Sequence, residues 1–267
     1  MNRIKRWIRN VVLPSRDDSG PASPTCKEYM DRIERLPDLL PNQVYGIDKC
    51  IQCLEKIPGI LDPLEGYTLF ELAKSGSIRA PIAEVGSYLG KSASYMALGS
   101  LIAGNEGVVA IDMFPSKTDW FKGEDGFWHI RGSDYYLKES VYKEREHFFY
   151  GGSHYNNTLD IFTDILKKVN LENLITPFKG NSPAYMAEKG SGARFRMVFI
   201  DGDHTYQGVK KDINALSGSV VSGGYLCFHD YRPSFPGVIQ AVDELIFSSP
   251  QYRQRCLVKS LAIVQKV

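Results

Sequence analysis

From residue 80 onward the chain alternates short apolar runs with helical segments, and no other feature narrows the possible folds as much. The apolar runs fall at 81–85, 107–111, 174–178, 196–200 and 224–229, with one or two closing strands over 257–265. Between them, helical patterns run over 92–102, 158–169, 183–189, 207–216 and 238–247. Short continuous apolar runs separated by amphipathic helices predict strands buried on both faces of a mainly parallel sheet. Right-handed crossovers then put helices on both faces. The expected fold class is therefore α/β, a Rossmann-like doubly wound sheet, occupying 64–267.

Two segments depart from this rhythm. About 45 residues separate the second strand from the helix at 158, against the 2–6 usual for such a loop. This stretch, 113–157, holds Trp120, Phe121, Phe127, Trp128, Tyr135, Tyr136 and Tyr142 among other aromatics. A lid over an organic substrate accounts for them, and so does an interface or an inserted helical pair with its own small core. The other segment is the N-terminal extension, 1–63. Ile4, Trp7, Ile8, Val11 and Val12 share one helical face, and Arg3, Lys5, Arg6 and Arg9 occupy the rest. Such a basic amphipathic helix suits an anionic membrane surface. The plainer reading packs it on its own domain or on a second subunit, since so short a helix is marginal alone. A linker over 14–24 and helices broken at Pro37, Pro41, Pro58 and Pro63 complete the extension.

Composition removes several classes of function. A formal net charge of +1 provides no field for nucleic acid. No apolar run approaches the roughly 20 residues of a membrane span, and the basic N-terminus lacks the apolar stretch of a secretory signal. Five scattered cysteines do not form a disulfide framework. The expected location is cytoplasmic with reduced thiols, with membrane association if the N-terminal helix is used that way. Cys50 and Cys53 form a lone C-x-x-C without the further ligands a zinc site needs, and read as two cysteines on a helix.

Doubly wound sheets bind ligands beyond the carboxyl ends of their strands, and the chemically able residues stand there. After the first strand comes Glu84-Val85-Gly86-Ser87-Tyr88-Leu89-Gly90-Lys91-Ser92. A P-loop needs four residues between its first glycine and the Gly-Lys-Ser, and this turn has three. The dinucleotide register G-x-G-x-x-G is absent too. A carboxylate just before the first glycine is awkward beside a triphosphate and suits a cationic ligand with hydroxyls and an ammonium group, as in S-adenosylmethionine. Asp112, ending the second strand, stands where an acid can grip a ribose diol; a loop-capping aspartate is the plainer reading. Gly180-Asn181-Ser182, after the third strand, are small and polar enough to flank an adenine.

The fourth strand ends in Phe199-Ile200-Asp201-Gly202-Asp203-His204-Thr205-Tyr206, and the fifth in Phe228-His229-Asp230-Tyr231. If both ends neighbour the switch point, Asp201, His229 and Asp230 converge into a set that would hold a divalent cation. His204 would be the general base beside Asp201 and Asp203. Otherwise one acid caps the following helix and His229 is a hydrogen-bonded core residue.

In order and spacing, the 83–92, 199–206 and 223–231 segments resemble those of class I S-adenosylmethionine-dependent methyltransferases, in a subgroup acting on sugars, natural products and other small hydroxylated molecules. The resemblance implies a cofactor site of Glu84, Gly86, Ser87, Tyr88, Gly90 and Ser92, with Asp112 on the ribose, Ser182 by the adenine and Asp201 beside them. The first segment is also similar to that of catechol-type O-methyltransferases, which hold magnesium through one acid after the fourth strand and an acid–amide pair after the fifth. Carried across, this implies Mg²⁺ or another divalent cation on Asp201, His229 and Asp230, with histidine a departure from the pattern. The expected reaction is O-methylation of a small-molecule or glycan acceptor by a protein that could be a homo-oligomer. The competing expectations are a nucleotide-dependent transferase using the Gly-rich turn and a non-catalytic member of the fold.

Overall fold

The computed structural model describes residues 46–75, 78–133, 135–150, 155–190 and 192–267. The basic N-terminal helix and the 14–24 linker lie outside them. Among the described residues two helices, α1 (Ile47–Leu54) and α2 (Pro63–Ser75), precede the sheet. Cys50 and Cys53 lie on α1 as free thiols, the first buried in the core. The parallel strands are β1 (Ile82–Val85), β2 (Val108–Asp112), β6 (Ile175–Lys179), β7 (Phe195–Ile200) and β8 (Val220–Phe228). Two strands, β9 (Tyr252–Val258) and β10 (Leu261–Lys266), close the chain as an antiparallel hairpin, with β10 antiparallel to β8.

Among the described residues these strands form one sheet in the order β6-β2-β1-β7-β8-β10-β9. The chain moves outward from β1 to β2 and β6, then returns to the other side of β1 at β7. The connections leaving β1 and β7 therefore diverge and open a crevice at their carboxyl ends. Buried side chains alternate across the sheet as a pleat requires. Ile82, Val108, Ala110, Met197 and Phe199 pack toward α1, α2, α3 (Lys91–Ile102) and α5 (Thr158–Lys168). Ala83, Val85, Val198 and Ile200 pack toward α6 (Ser182–Lys189), α7 (Tyr206–Leu216) and α8 (Pro236–Val242). This is the doubly wound arrangement expected from the sequence. The last helix is shorter than the 238–247 pattern suggests, relaxing into a π-type turn over Asp243–Phe247.

The side-chain caps that start α5, α6 and α7 are Asn157, Asn181 and Thr205, each accepting from a backbone N–H in the first turn. A buried cation ties α2 to α3. Arg196 Nη1 donates to the Ala73 carbonyl at 2.8 Å and Nη2 to Ser100 Oγ at 2.5 Å, near the C-terminal ends of both helices.

The 113–157 insertion is a small unit of its own. It holds β3 (Trp120–Lys122), β4 (Trp128–Ile130) and β5 (Tyr136–Leu137) in an antiparallel sheet, followed by α4 (Glu139–Tyr150). Trp120, Ile130, Leu137 and Tyr142 form its core, and Trp128 stacks on Tyr142 with ring centroids 3.7 Å apart. The alternative of an inserted helical pair gives way to a sheet and one helix. Strands of two or three residues are held by cross-strand aromatic pairs and are too short to show alternation in the sequence. Among the described residues, no helix is long and apolar enough to cross a membrane.

Candidate active site

The crevice begins at Gly86, whose φ of +85° suits glycine and whose missing Cβ lets β1 approach β7: a methyl there would collide with the Asp201 carbonyl. The backbone ladder continues past both strand ends, with Gly86 N–H donating to Ile111 O at 2.9 Å and Asp201 N–H to Val85 O at 2.8 Å. Two further residues hold left-handed backbone near the crevice, Tyr88 at φ 48° and Phe114 at φ 41°. Strain of this kind persists where surroundings over-determine it, and here one side chain does so. Asp112 Oδ2 accepts from Tyr88 N–H at 3.0 Å and Oδ1 from Phe114 N–H at 2.8 Å. Burial raises the Asp112 pKa above the ordinary range, with these backbone donors opposing the shift.

A cavity of about 530 Å³ fills the crevice. Gly86, Tyr88, Asp112, Asn181 and Asp201 line one part of it, and Asp203, His204, His229 and Asp230 another. The insertion covers it with Trp120, Ile130, Tyr135, Val141 and Arg145, so the aromatic segment is a wall of the site as well as a folded unit. Arg145 Nη1 donates to Tyr135 Oη at 2.9 Å, fixing that wall internally.

Other residues expected at the cofactor stand behind the lining. Glu84 is fully buried and accepts from Ser92 Oγ at 2.5 Å; its second oxygen has no hydrogen bond. Burial pushes its pKa up to about 8, against the opposing Ser87 and Ser92 hydroxyls. Ser87 is buried, and Gly90, at φ +87°, packs against Phe162. Ser182 is also fully buried and donates to Asp212 Oδ1 at 2.6 Å, while its neighbour Asn181 lines the cavity. A serine beside an asparagine in a loop carries no signal of which one faces inward.

The two strand ends do converge. His229 Nδ1 lies 3.0 Å from Asp201 Oδ1 and 3.7 Å from Asp230 Oδ2. His204 Nε2 lies 3.2 Å from Asp230 Oδ2 and 3.7 Å from Asp201 Oδ1. Asp230, itself at φ 56°, also faces Arg232 Nη2 at 2.8 Å, off the line a hydrogen bond needs. Asp203 is drawn aside: its Oδ1 accepts from Thr205 N–H at 2.7 Å, bracing the start of α7. One residue in this cluster carried no signal in the sequence. Glu65, on α2, accepts from His229 Nε2 at 3.0 Å, and its other oxygen takes the Ser260 N–H and hydroxyl at 2.8 Å each.

These contacts set the charges. Burial alone would lower the His229 pKa, but Asp201, the bond to Glu65 and Asp230 outweigh it and push the value up to about 11. Burial opposes charge on His204 as well, and Asp201 and Asp230 push its value up to about 9. The carboxylates respond in kind: against burial, the histidines hold Asp201 below the ordinary range, and His229 with Ser260 holds Glu65 below it. Among the described residues, Asp201, His229 and Asp230 each offer a donor atom within 4.8 Å of the others, as ligands to one ion must.

A methyltransferase-domain family model matches residues 83–231, more than half of the chain, running from β1 to the residue after Asp230. The chain belongs to that methyltransferase family. Its fold is that of class I methyltransferases. In solved structures, the methyltransferase resembles an O-methyltransferase from Bacillus cereus in complex with SAH, at a TM-score of 0.51 and 15% identity over 99% of this chain and 97% of that one. It also resembles the O-methyltransferase NovP, at 0.53 and 17% over 91% and 99%. The O-methyltransferase TomG from Streptomyces achromogenes, involved in Tomaymycin synthesis and seen with SAM, matches at 0.52 and 14% over 88% and 98%. One curated relative, the uncharacterized protein R132 of Acanthamoeba polyphaga mimivirus, is 42% identical over 52 residues, 19% of this chain and 24% of that protein's length.

Proposed function

We propose that the protein transfers a methyl group from S-adenosylmethionine to a hydroxyl oxygen of a small molecule, sugar or natural product. The observation that carries this reading is a single cavity holding both Asp112 and His204, the ribose-side acid and a base. S-adenosylmethionine supplies a methyl group already activated on a sulfonium, so the protein's work is alignment and exclusion of water. Asp112 keeps lone pairs on both oxygens for a ribose diol after taking the backbone donors of Ser87, Tyr88 and Phe114. Gly86 lets the ends of β1 and β7 close up, so that together they form one floor for a ligand. His204, held protonated below about pH 9 in the ligand-free protein, acts as the base in its neutral form: it then accepts the acceptor hydroxyl's proton at Nε2, and Asp201 and Asp230 stabilise the resulting imidazolium. Trp120, Tyr135 and Val141 shield the site from bulk water and give an organic acceptor an apolar face.

The residues present fit a divalent cation. Donors around one first-row ion, bonded at about 2.0–2.2 Å, stand roughly 3.0–3.6 Å apart, close to the 3.0 and 3.7 Å that separate His229 Nδ1 from the Asp201 and Asp230 oxygens. Asp230 Oδ1 is also buried without a hydrogen bond, with the Arg232 guanidinium 2.8 Å away as its ion-pair partner. A cation on these three would act as a Lewis acid on the acceptor oxygen. A phosphate-using transferase is disfavoured by the three residues between Gly86 and Gly90, one short of a P-loop.

Calorimetric titration with S-adenosylhomocysteine, with Mg²⁺ and with EDTA, tests the cofactor. Radiolabelled methyl transfer to hydroxylated metabolites then tests the reaction. His204→Ala should lower turnover by about 10²- to 10⁴-fold and leave affinity for S-adenosylhomocysteine nearly unchanged. Absence of binding in every condition would remove the reading.

A further inference from the structure

We infer that the methyl acceptor carries an oxyanion, a carboxylate or a phosphate, and that Arg145 on the insertion reads it. The inference rests on the methyltransferase reading and names the class of acceptor for that same site.

Arg145 stands on α4 and lines the cavity from the insertion side. Its guanidinium carbon lies 5.9 Å from the ring centre of Tyr88 and 6.0 Å from that of Tyr135. Tyr88 belongs to the turn after β1, so the charged head reaches across to the strand ends. Nη1 donates to Tyr135 Oη at 2.9 Å, which orients the planar group. A guanidinium stays charged at any working pH and meets carboxylate or phosphate oxygens with paired N–H donors. Trp120, Ile130 and Val141 line the same wall, and such apolar surroundings strengthen an ion pair by lowering the local dielectric.

The rest of the lining gives the acceptor its direction. Asp201 and Asp230 face His204 at the strand ends and repel an anion there. The cations on that side, His204, His229 and Arg232, hold those same carboxylates. An acidic acceptor therefore lies with its hydroxyl toward His204 and its anion toward Arg145. Ile60, 70% exposed, and Val141, 36% exposed, add apolar surface to the cavity for the body of an organic molecule. A hydroxylated organic acid or phosphate ester meets all three demands.

Radiolabelled methyl transfer is measured with the full-length protein, wild type, Arg145→Met, Arg145→Lys and Tyr135→Phe, with an S-adenosylhomocysteine titration on each. The probes are matched pairs: hydroxybenzoic and hydroxycinnamic acids against their amides, and sugar phosphates against the free sugars. Wild type should favour the acidic member by about 10–100-fold in kcat/KM, the worth of a charge-assisted hydrogen bond. The pairs that show the preference distinguish carboxylate from phosphate. Arg145→Met should lower kcat/KM for the acidic member by the same factor, chiefly through KM. Arg145→Lys keeps the charge without the fork and should recover part of the preference. Tyr135→Phe removes only the bond that orients the head and should keep most of it. No preference in wild type, no turnover of any probe, or an equal loss on acidic and neutral members in Arg145→Met overturns the inference. A matching fall in S-adenosylhomocysteine affinity in Arg145→Met overturns it too, since the guanidinium would then serve the cofactor's own carboxylate. Intact S-adenosylhomocysteine binding in wild type beside any of those results leaves the methyltransferase reading standing; its absence there counts against that reading instead.

Discussion

Glu65 and His229 are 164 positions apart in the chain and share a hydrogen bond of 3.0 Å, buried between α2 and the end of β8. The contact joins a helix that precedes the sheet to the fifth parallel strand, and it makes α2 a structural part of the site. With Asp201 on the other side of the ring, His229 is clamped between two carboxylates. Their charges hold the imidazole protonated in the ligand-free protein against the cost of its burial.

That clamp has a consequence for stability against pH. In the ligand-free protein, the His204 and His229 pKa values are raised from about 6.5 to about 9 and about 11. A raised histidine contributes stability in full below its unfolded value and loses it as pH rises through its folded value. Glu84, raised to about 8, acts in the same direction, since the unfolded chain gives up that proton first. Asp201 and Glu65, both lowered, lose their contributions only in acid. The melting temperature should fall steadily from pH 6 to pH 10, and His204→Gln should flatten the fall between pH 7 and 9. A melting temperature that rises over that range would refute the charge assignment.

Asp112→Ala should weaken S-adenosylhomocysteine binding by about 10- to 100-fold, as expected for the loss of charge-assisted hydrogen bonds. The same change frees Tyr88 and Phe114 from the carboxylate that holds their left-handed backbone. Asp112→Asn can still accept one of those bonds and should lose less. Calorimetry on the two variants measures the difference; equal losses would assign the whole effect to charge.

Arg196→Met leaves the Ala73 carbonyl and the Ser100 hydroxyl without their buried donor. The cost should be about 2–3 kcal/mol, a drop in melting temperature of roughly 4–12 °C for a domain of this size. Affinity for S-adenosylhomocysteine per folded molecule should not change, because Arg196 lies away from the cavity. An equal loss of affinity would show that the α2–α3 end is coupled to the site.

Trp128→Ala removes the ring stacked on Tyr142 and loosens the insertion that walls the acceptor side. The Michaelis constant for the acceptor should rise, and the dissociation constant for S-adenosylhomocysteine should move far less. Steady-state kinetics beside calorimetry separates the two. A parallel rise in both would mean that the insertion holds the cofactor as well.

Much of this protein is written locally. The strands at 81–85, 107–111 and 196–200 are legible because a strand buried on both faces needs an uninterrupted apolar run, and the structure places them within one or two residues. Gly86, Asp112, Asp201, His204, His229 and Asp230 are legible because a doubly wound sheet delivers its strand ends to one edge, and each of them lines the cavity. Only the tertiary structure decided what depends on contacts between distant segments. Glu65 reads in sequence as an ordinary acid in the first turn of a helix, and its role appears only when the β9–β10 hairpin brings Ser260 and β8 brings His229 to it. Ser182 and Asn181 are equivalent on paper until the Asp212 carboxylate claims the serine. The insertion's strands are too short for any period, so their sheet exists because aromatic side chains found partners across it. Periodicity records which face of an element is buried, and that is a local property of the chain. Which residues meet in the site depends on the order in which the strands pack.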